Sequence, residues 1–214
     1  MLVVASALVL SLILKTFFFQ SFWIPSSSME DTLRVKDRIL VTKWRPGPFD
    51  LRRGDIVVFK DPGGWLDSSL EPEPTGIAAV WTNVLTFTGL LPEDAGEHLV
   101  KRVIGLPGDT VTCDPDEGVV RVNGAALDEP YVKPGTNSCR NGWSIDIPEG
   151  RLWVMGDNRS NSADSRAHLG DPGGGTIPEA NVVGTAFVVV WPLSHWDGLG
   201  NPYPDFDPDA AAAQ

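Results

Sequence analysis

Apolar and polar positions divide the chain into an N-terminal apolar block, a long middle of short apolar runs, and a polar end. Residues 2–14 carry no charge and are mostly Leu, Val, Ala and Ile. Lys15 interrupts, and the apolar character resumes through residue 23 with four Phe and a Trp. A membrane span needs about 20 residues, which 1–23 supplies if the Lys15 ammonium snorkels. The pattern predicts one transmembrane helix over 1–23, with the aromatic cluster 17–23 at the interface. A cleaved secretory signal is the alternative, but the block has neither a basic start nor a small-x-small cleavage site. Further on, short apolar runs between Gly/Pro turns predict strands over 37–41, 54–59, 97–104, 110–113, 119–122, 151–156 and 181–191. Asn123-Gly124 reads as a hairpin turn. No strand alternates with a long helix, so 24–192 is read as one mostly β domain. Residues 65–98 and 128–143 are excursions from it. The Pro-, Asp- and Ala-rich stretch 193–214 is read as a disordered acidic tail.

Composition narrows the function classes. The chain has 214 residues, is 42% hydrophobic and 21% charged, and contains 22 Gly and 18 Pro. That supports one domain with a real core, rich in turns, behind an anchor. The net charge of -11 argues against nucleic acid as a partner, because phosphate binding needs a basic patch. Charge is uneven: residues 30–60 hold eight Lys/Arg, and 61–100 hold seven acids and no Lys or Arg. His98, His168 and His195 are scattered, without a metal-ligand spacing. The Gly-rich stretches lack a phosphate-binding pattern. No cofactor and no metal are expected. Cys113 and Cys139 are candidates for a disulfide if the domain lies outside the cytoplasm.

Three stretches carry candidate chemistry. Directly after the apolar block comes Pro25-Ser26-Ser27-Ser28-Met29-Glu30-Asp31-Thr32-Leu33. A serine becomes a nucleophile only beside a base, and no histidine stands in an obvious setting for that role. Lys101, in Lys101-Arg102-Val103-Ile104-Gly105-Leu106-Pro107-Gly108-Asp109, is the alternative. Its neighbours Val100, Val103 and Ile104 are apolar, and burial there would lower its pKa. Arg102 stays protonated and cannot be the base. The third stretch is Gly156-Asp157-Asn158-Arg159-Ser160-Asn161-Ser162-Ala163-Asp164-Ser165-Arg166. Its Asp157, Arg159, Asp164 and Arg166 are read as a structural ion-pair loop.

These three blocks, together with Gly54-Asp55-Ile56-Val57-Val58-Phe59, stand in the order found in bacterial type I signal peptidases (leader peptidases), and the chain resembles that serine-lysine family over residues 1 to about 192. The resemblance implies an antiparallel β catalytic domain of the signal-peptidase type. It implies Ser28 as nucleophile, Lys101 as general base, Ser26 and the Ser28 N–H as oxyanion donors, and Ser162 as the group that orients the lysine. It implies cleavage of signal-peptide-bearing precursor proteins after small residues, Ala-x-Ala. The remaining partners would be the phospholipid membrane and the protein secretion machinery. The localisation implied is single-pass in the cell membrane, with the catalytic domain on the extracytoplasmic side. The composition fits a high-GC Gram-positive source. The chain departs from the family at Asp31, where proline is usual, and at Ser160, where aspartate is common; both departures are expected to alter loop stiffness. Candidates for the pocket lining are Ile24, Met29 and Val100. Two rival readings are a repressor-type Ser-Lys autoprotease, which needs a DNA-binding segment, and a tethered β scaffold, which needs no Ser28. A third, a Ser-His hydrolase, would need His98 or His168 beside Ser28.

Overall fold

The structure, a computed structural model, describes residues 18–66 and 98–204 and, singly, residues 6, 206 and 208. In chain order the strands are β1 (Phe19–Trp23), β2 (Arg38–Thr42), β3 (Ile56–Lys60), β4 (His98–Gly105), β5 (Thr110–Cys113) and β6 (Val120–Val122). They continue as β7 (Ala125–Ala126), β8 (Trp143–Asp146), β9 (Arg151–Met155), β10 (Ile177–Pro178), β11 (Val182–Trp191) and β12 (Asp197–Gly198). Among the described residues they form two antiparallel sheets. The larger runs β1-β2-β11-β3-β4-β9-β10, with β12 beside β11, and the smaller runs β7-β6-β5-β8. The fold is mostly β, as the sequence pattern predicts.

Burial explains the layout. β3 is buried on both faces: Ile56 and Val58 join the cluster of Phe22, Ile24, Met29 and Leu33, while Val57 and Phe59 pack with Leu51, Val103 and Val154. A four-residue continuous apolar run is what a central strand needs. A third cluster joins Val111, Val120, Val122 and Ile147 of the small-sheet region to Ile104, Trp153 and Met155 of the large sheet. Asn123 and Gly124 both take positive φ, 50° and 85°, and close the β6–β7 hairpin. The disulfide Cys113–Cys139, with Cα atoms 5.1 Å apart, ties β5 to the irregular arm before β8.

Two expectations are corrected here. Residues 19–23 are a strand and not the end of a helix: β1 pairs with β2 from Phe19↔Thr42 to Trp23↔Arg38, and Phe22 is buried in the core. The aromatic run misled because Phe and Trp suit a half-buried strand as well as a membrane interface. Among the described residues no helix is long and apolar enough to cross a membrane. Residues 1–5 and 7–17, where the anchor is expected, lie outside them, as do 67–97 of the first excursion. The polar end is also not disordered through residue 204. β12 pairs with Val188–Val189. Asn201 Nδ2 donates to Arg53 O (2.9 Å) and Asp55 Oδ1 (2.7 Å), and Tyr203 and Phe206 pack on the third cluster.

Candidate active site

Ser28 sits in a turn made by its neighbours. Glu30 N–H donates to Ser27 O at 3.1 Å and Leu33 N–H to Met29 O at 2.7 Å. Met29 and Leu33 are buried at 1% and 0% exposure, so two apolar anchors pin the turn to the core. The Ser26 and Ser28 hydroxyls lie 3.3 Å apart. The bend and turn over residues 26–30 bring the two hydroxyls to the same side. Asp31 has a φ of 96°, a region closed to proline. The departure at this position therefore accompanies a different backbone path, beyond a change in stiffness.

Lys101 lies in the middle of β4, opposite Val57 of β3. Its Nζ is 2.8 Å from Ser28 Oγ and also donates to Val100 O at 3.1 Å. The side chain is 3% exposed. Burial lowers its pKa from 10.5 to about 8, against the opposing pull of Asp164 and Asp157. Desolvation disfavours the ammonium, and both carboxylates are committed to arginines, which limits their effect on the lysine.

The charged loop is less self-contained than its sequence suggests. Arg166 forks onto Asp164, Nε to Oδ1 at 2.9 Å and Nη2 to Oδ2 at 2.8 Å, and Gly156 N–H donates to Asp164 Oδ2 at 2.9 Å. Burial would push the Asp164 carboxyl up, but Arg166 and the Gly156 amide hold it below its usual value. Asp157 pairs outside the loop: Arg102 donates from Nε at 2.9 Å and Nη2 at 2.7 Å, and Thr32 Oγ1 donates at 2.5 Å. Asp157 thereby joins β4 to the nucleophile turn. Arg159 also leaves the loop, for Glu129 and, at 2.5 Å, Ser138 Oγ. Burial would lower its pKa, but Glu129 raises it.

Ser162 does not make the bond expected of it. Its Oγ is buried and makes no hydrogen bond to Lys101. It packs against Gly156, where an added Cβ would lie 2.3 Å from it and 2.4 Å from Ser28 O. Its hydroxyl is close enough to Asp164 to help hold that carboxylate ionised. Only a glycine at 156 lets the loop approach the nucleophile turn this closely.

Several site groups were not singled out by sequence reasoning. Arg102 was dismissed as a base, yet it neutralises Asp157, and its guanidinium lies 3.9 Å from the Tyr131 ring centre. Asn158 binds the nucleophile turn, and Glu129 holds Arg159. Arg102 and Asn158 were visible inside the quoted motifs; Glu129 and Tyr131, in the irregular arm, gave no periodic signal. A small cleft of about 90 Å³ beside the pair is lined by Ile24, Met29 and Val100 with Phe22, His98 and Leu99. His98 shares its wall and packs on Phe22. His168 lies elsewhere, stacked on Trp65 and bonded to Asp171. Among the described residues no His/Cys/Asp/Glu group is placed to hold a metal.

The sequence matches the family described as signal peptidase, peptidase S26, over residues 1–191. The chain belongs to this family. It is 41% identical over 217 residues to a probable signal peptidase I of Mycobacterium leprae, covering 88% of this chain and 74% of the relative. A signal peptidase I of Mycobacterium tuberculosis is 41% identical over 210 residues, covering 89% and 71%. A probable signal peptidase I-1 of Synechocystis is 34% identical over 196 residues, covering 91% and 83%. As a family member the chain is a serine endopeptidase of the Ser-Lys dyad type that acts on the signal sequences of exported precursors. It is membrane-associated by family.

Proposed function

We propose that Ser28 is the nucleophile and Lys101 the general base of this signal peptidase. The observation that carries the reading is the 2.8 Å approach of Lys101 Nζ to Ser28 Oγ inside a buried site that lowers the lysine's pKa to about 8. At that pKa roughly one lysine in ten is neutral at pH 7. The neutral amine accepts the Ser28 proton as Oγ attacks the scissile carbonyl. The oxyanion then faces two donors, the Ser28 N–H and the Ser26 hydroxyl. Lys101 returns the proton to the leaving amine, and a water, deprotonated by the same amine, hydrolyses the acyl-enzyme. Ser162 supports the lysine indirectly, by steadying Asp164.

The cleft fits a substrate with small side chains, as Ala-x-Ala requires: it is small, and the buried core residues Phe22, Ile24 and Met29 form part of its wall, so a larger group would overfill it. The domain would lie outside the cytoplasmic membrane, tethered by a single anchor within residues 1–17. The exposed aromatics Phe19, Trp44, Phe49 and Phe187 pack in a chain beside the start of β1, Phe187 on Phe19, Trp44 on Phe18 and Phe49 on Trp44, and suit contact with lipid. The Cys113–Cys139 disulfide suits an oxidising compartment.

The test is cleavage of an Ala-x-Ala precursor by the purified full chain in detergent. Ser28→Ala should abolish cleavage. Ser26→Ala should slow it by about 10²–10³, the effect of one lost oxyanion donor. Normal cleavage by Ser28→Ala would overturn the assignment. Protease digestion of spheroplasts addresses the orientation: protection of residues 40–192 until lysis would contradict it.

A further inference from the structure

One residue of the charged loop holds both carbonyls that flank the nucleophile. Asn158 Nδ2 donates to Ser27 O at 3.1 Å, and Asn158 N–H donates to Ser28 O at 3.0 Å. Asn158 is 5% exposed. Its amide also lies 3.4 Å from Glu30 Oε2, and that carboxylate is paired with Lys133 Nζ at 2.5 Å. The irregular arm therefore braces the amide from the far side. A peptide bond is planar and trans, so its C=O and N–H point in opposite directions. Tying down Ser27 O consequently fixes the direction of the Ser28 N–H. Among the described residues this N–H donates to no protein group, so it is left available for a ligand. The turn bond from Glu30 N–H to Ser27 O alone leaves the plane free to tilt about that single contact.

We propose that Asn158 is a positioning residue that locks the Ser27–Ser28 peptide plane, so that the Ser28 N–H is aimed at the oxyanion before the substrate arrives. The proposal rests on Ser28 being the nucleophile. Asn158 touches no reacting atom; it acts through the peptide unit that does. Preorganised donors stabilise a transition state because they need no reorientation as charge develops. Losing this lock therefore weakens transition-state binding and leaves substrate binding alone. Asn161, whose Nδ2 reaches only the Ser27 hydroxyl at 2.8 Å, has no hold on the plane.

The experiment compares full chains in detergent: wild type, Asn158→Ala, Asn158→Leu, Asn161→Ala and Ser28→Ala. The readouts are kcat, KM, the pH-rate midpoint, and the affinities for a peptide aldehyde and for the matching peptide alcohol. Asn158→Ala keeps the backbone donor but loses the side-chain one. Its kcat should fall at least about tenfold, less than the ~10²–10³ of deleting a donor outright. KM should stay within about twofold, and the pH midpoint should not move. Aldehyde affinity should fall by the same factor as kcat, because the aldehyde forms the oxyanion with Ser28; alcohol affinity should hold. Asn158→Leu, similar in size, uncharged and unable to donate, should show the same loss, and it replaces the alanine variant if that one does not fold. Asn161→Ala should match wild type. A kcat within twofold of wild type, an equal loss for aldehyde and alcohol, or a moved pH midpoint would each overturn the proposal. If Ser28→Ala itself cleaves, the nucleophile assignment has failed; if it is inactive while both Asn158 variants turn over normally, only the lock has failed.

Discussion

Replacing Lys101 by methionine should make the protein inactive and, at neutral pH, more stable. At pH 7 the wild-type lysine is protonated in a site that is 3% exposed, and its pKa falls from 10.5 to about 8 on burial. A shift of that size corresponds to about 3 kcal/mol against the folded state wherever both states are protonated. Methionine fills similar space without the charge. It forfeits the bonds to Ser28 Oγ and Val100 O, at about 1 kcal/mol each or less. The net gain is about 1–2 kcal/mol at pH 7, or roughly 4 °C in Tm for a chain of this size. The folded-state pKa lies below the unfolded one, so between about 8 and 10.5 the unfolded chain holds more protons. Wild-type stability therefore rises with pH across that window, by about 2 kcal/mol between pH 7 and 9.5. The advantage of Lys101→Met should shrink by this amount and vanish. Urea titrations of both full chains in mild detergent at pH 7 and 9.5 measure it, and other titrating groups cancel in the difference. A stability difference identical at the two pH values would refute the reasoning.

Further expectations follow from the disulfide, the unusual turn and the aromatic surface. Intact mass after thiol blocking should show Cys113 and Cys139 unmodified until reductant is added, and Cys113→Ala with Cys139→Ala should cost about 3–4 kcal/mol for a loop of this length. Asp31→Gly should stabilise the nucleophile turn by up to about 1 kcal/mol, because glycine adopts the φ of 96° without strain; Asp31→Pro should lower Tm, and an unchanged Tm for the proline variant would contradict the turn geometry. Trp44→Ser with Phe49→Ser should slow cleavage of a membrane-inserted precursor at least about threefold while leaving a short soluble peptide unaffected, since the two rings are 46% and 51% exposed and interfacial aromatics favour the headgroup region.

The strands were legible because their apolar runs are short, bounded by turns and dense in Val and Ile. Arg38–Thr42, Ile56–Lys60, Thr110–Cys113 and Val182–Trp191 all lie within two residues of their predicted limits. The aromatic stretch 19–23 was not legible, because composition alone does not separate a β strand from a membrane interface. The polar end was misread for a related reason. Its Asp, Pro and Ala content outweighed four anchors: His195, 2.9 Å from Asp37; Asn201 on Asp55; and Tyr203 and Phe206 on the core. In the site, the Ser28–Lys101 approach was foreshadowed by motif order. The partners of Asp157 and Arg159 were not, because Arg102 and Glu129 lie 55 and 30 residues away in the chain and only the folded sheet brings them together. Ser162 was assigned by resemblance, and here the local geometry turns its hydroxyl toward Gly156 and Asp164 instead of the lysine.

The neutral-lysine mechanism meets its most direct test in the pH dependence of kcat/KM for Ala-x-Ala precursor cleavage, measured on wild type beside Lys101→Arg. The deprotonated amine is the active form, so wild-type activity should rise about tenfold per pH unit at low pH and level off above a midpoint near 8. Lys101→Arg, charged but unable to deprotonate in this range, should show no turnover at any pH. A midpoint near the ordinary histidine value of ~6.5, or substantial turnover by Lys101→Arg, would contradict Lys101 as the base.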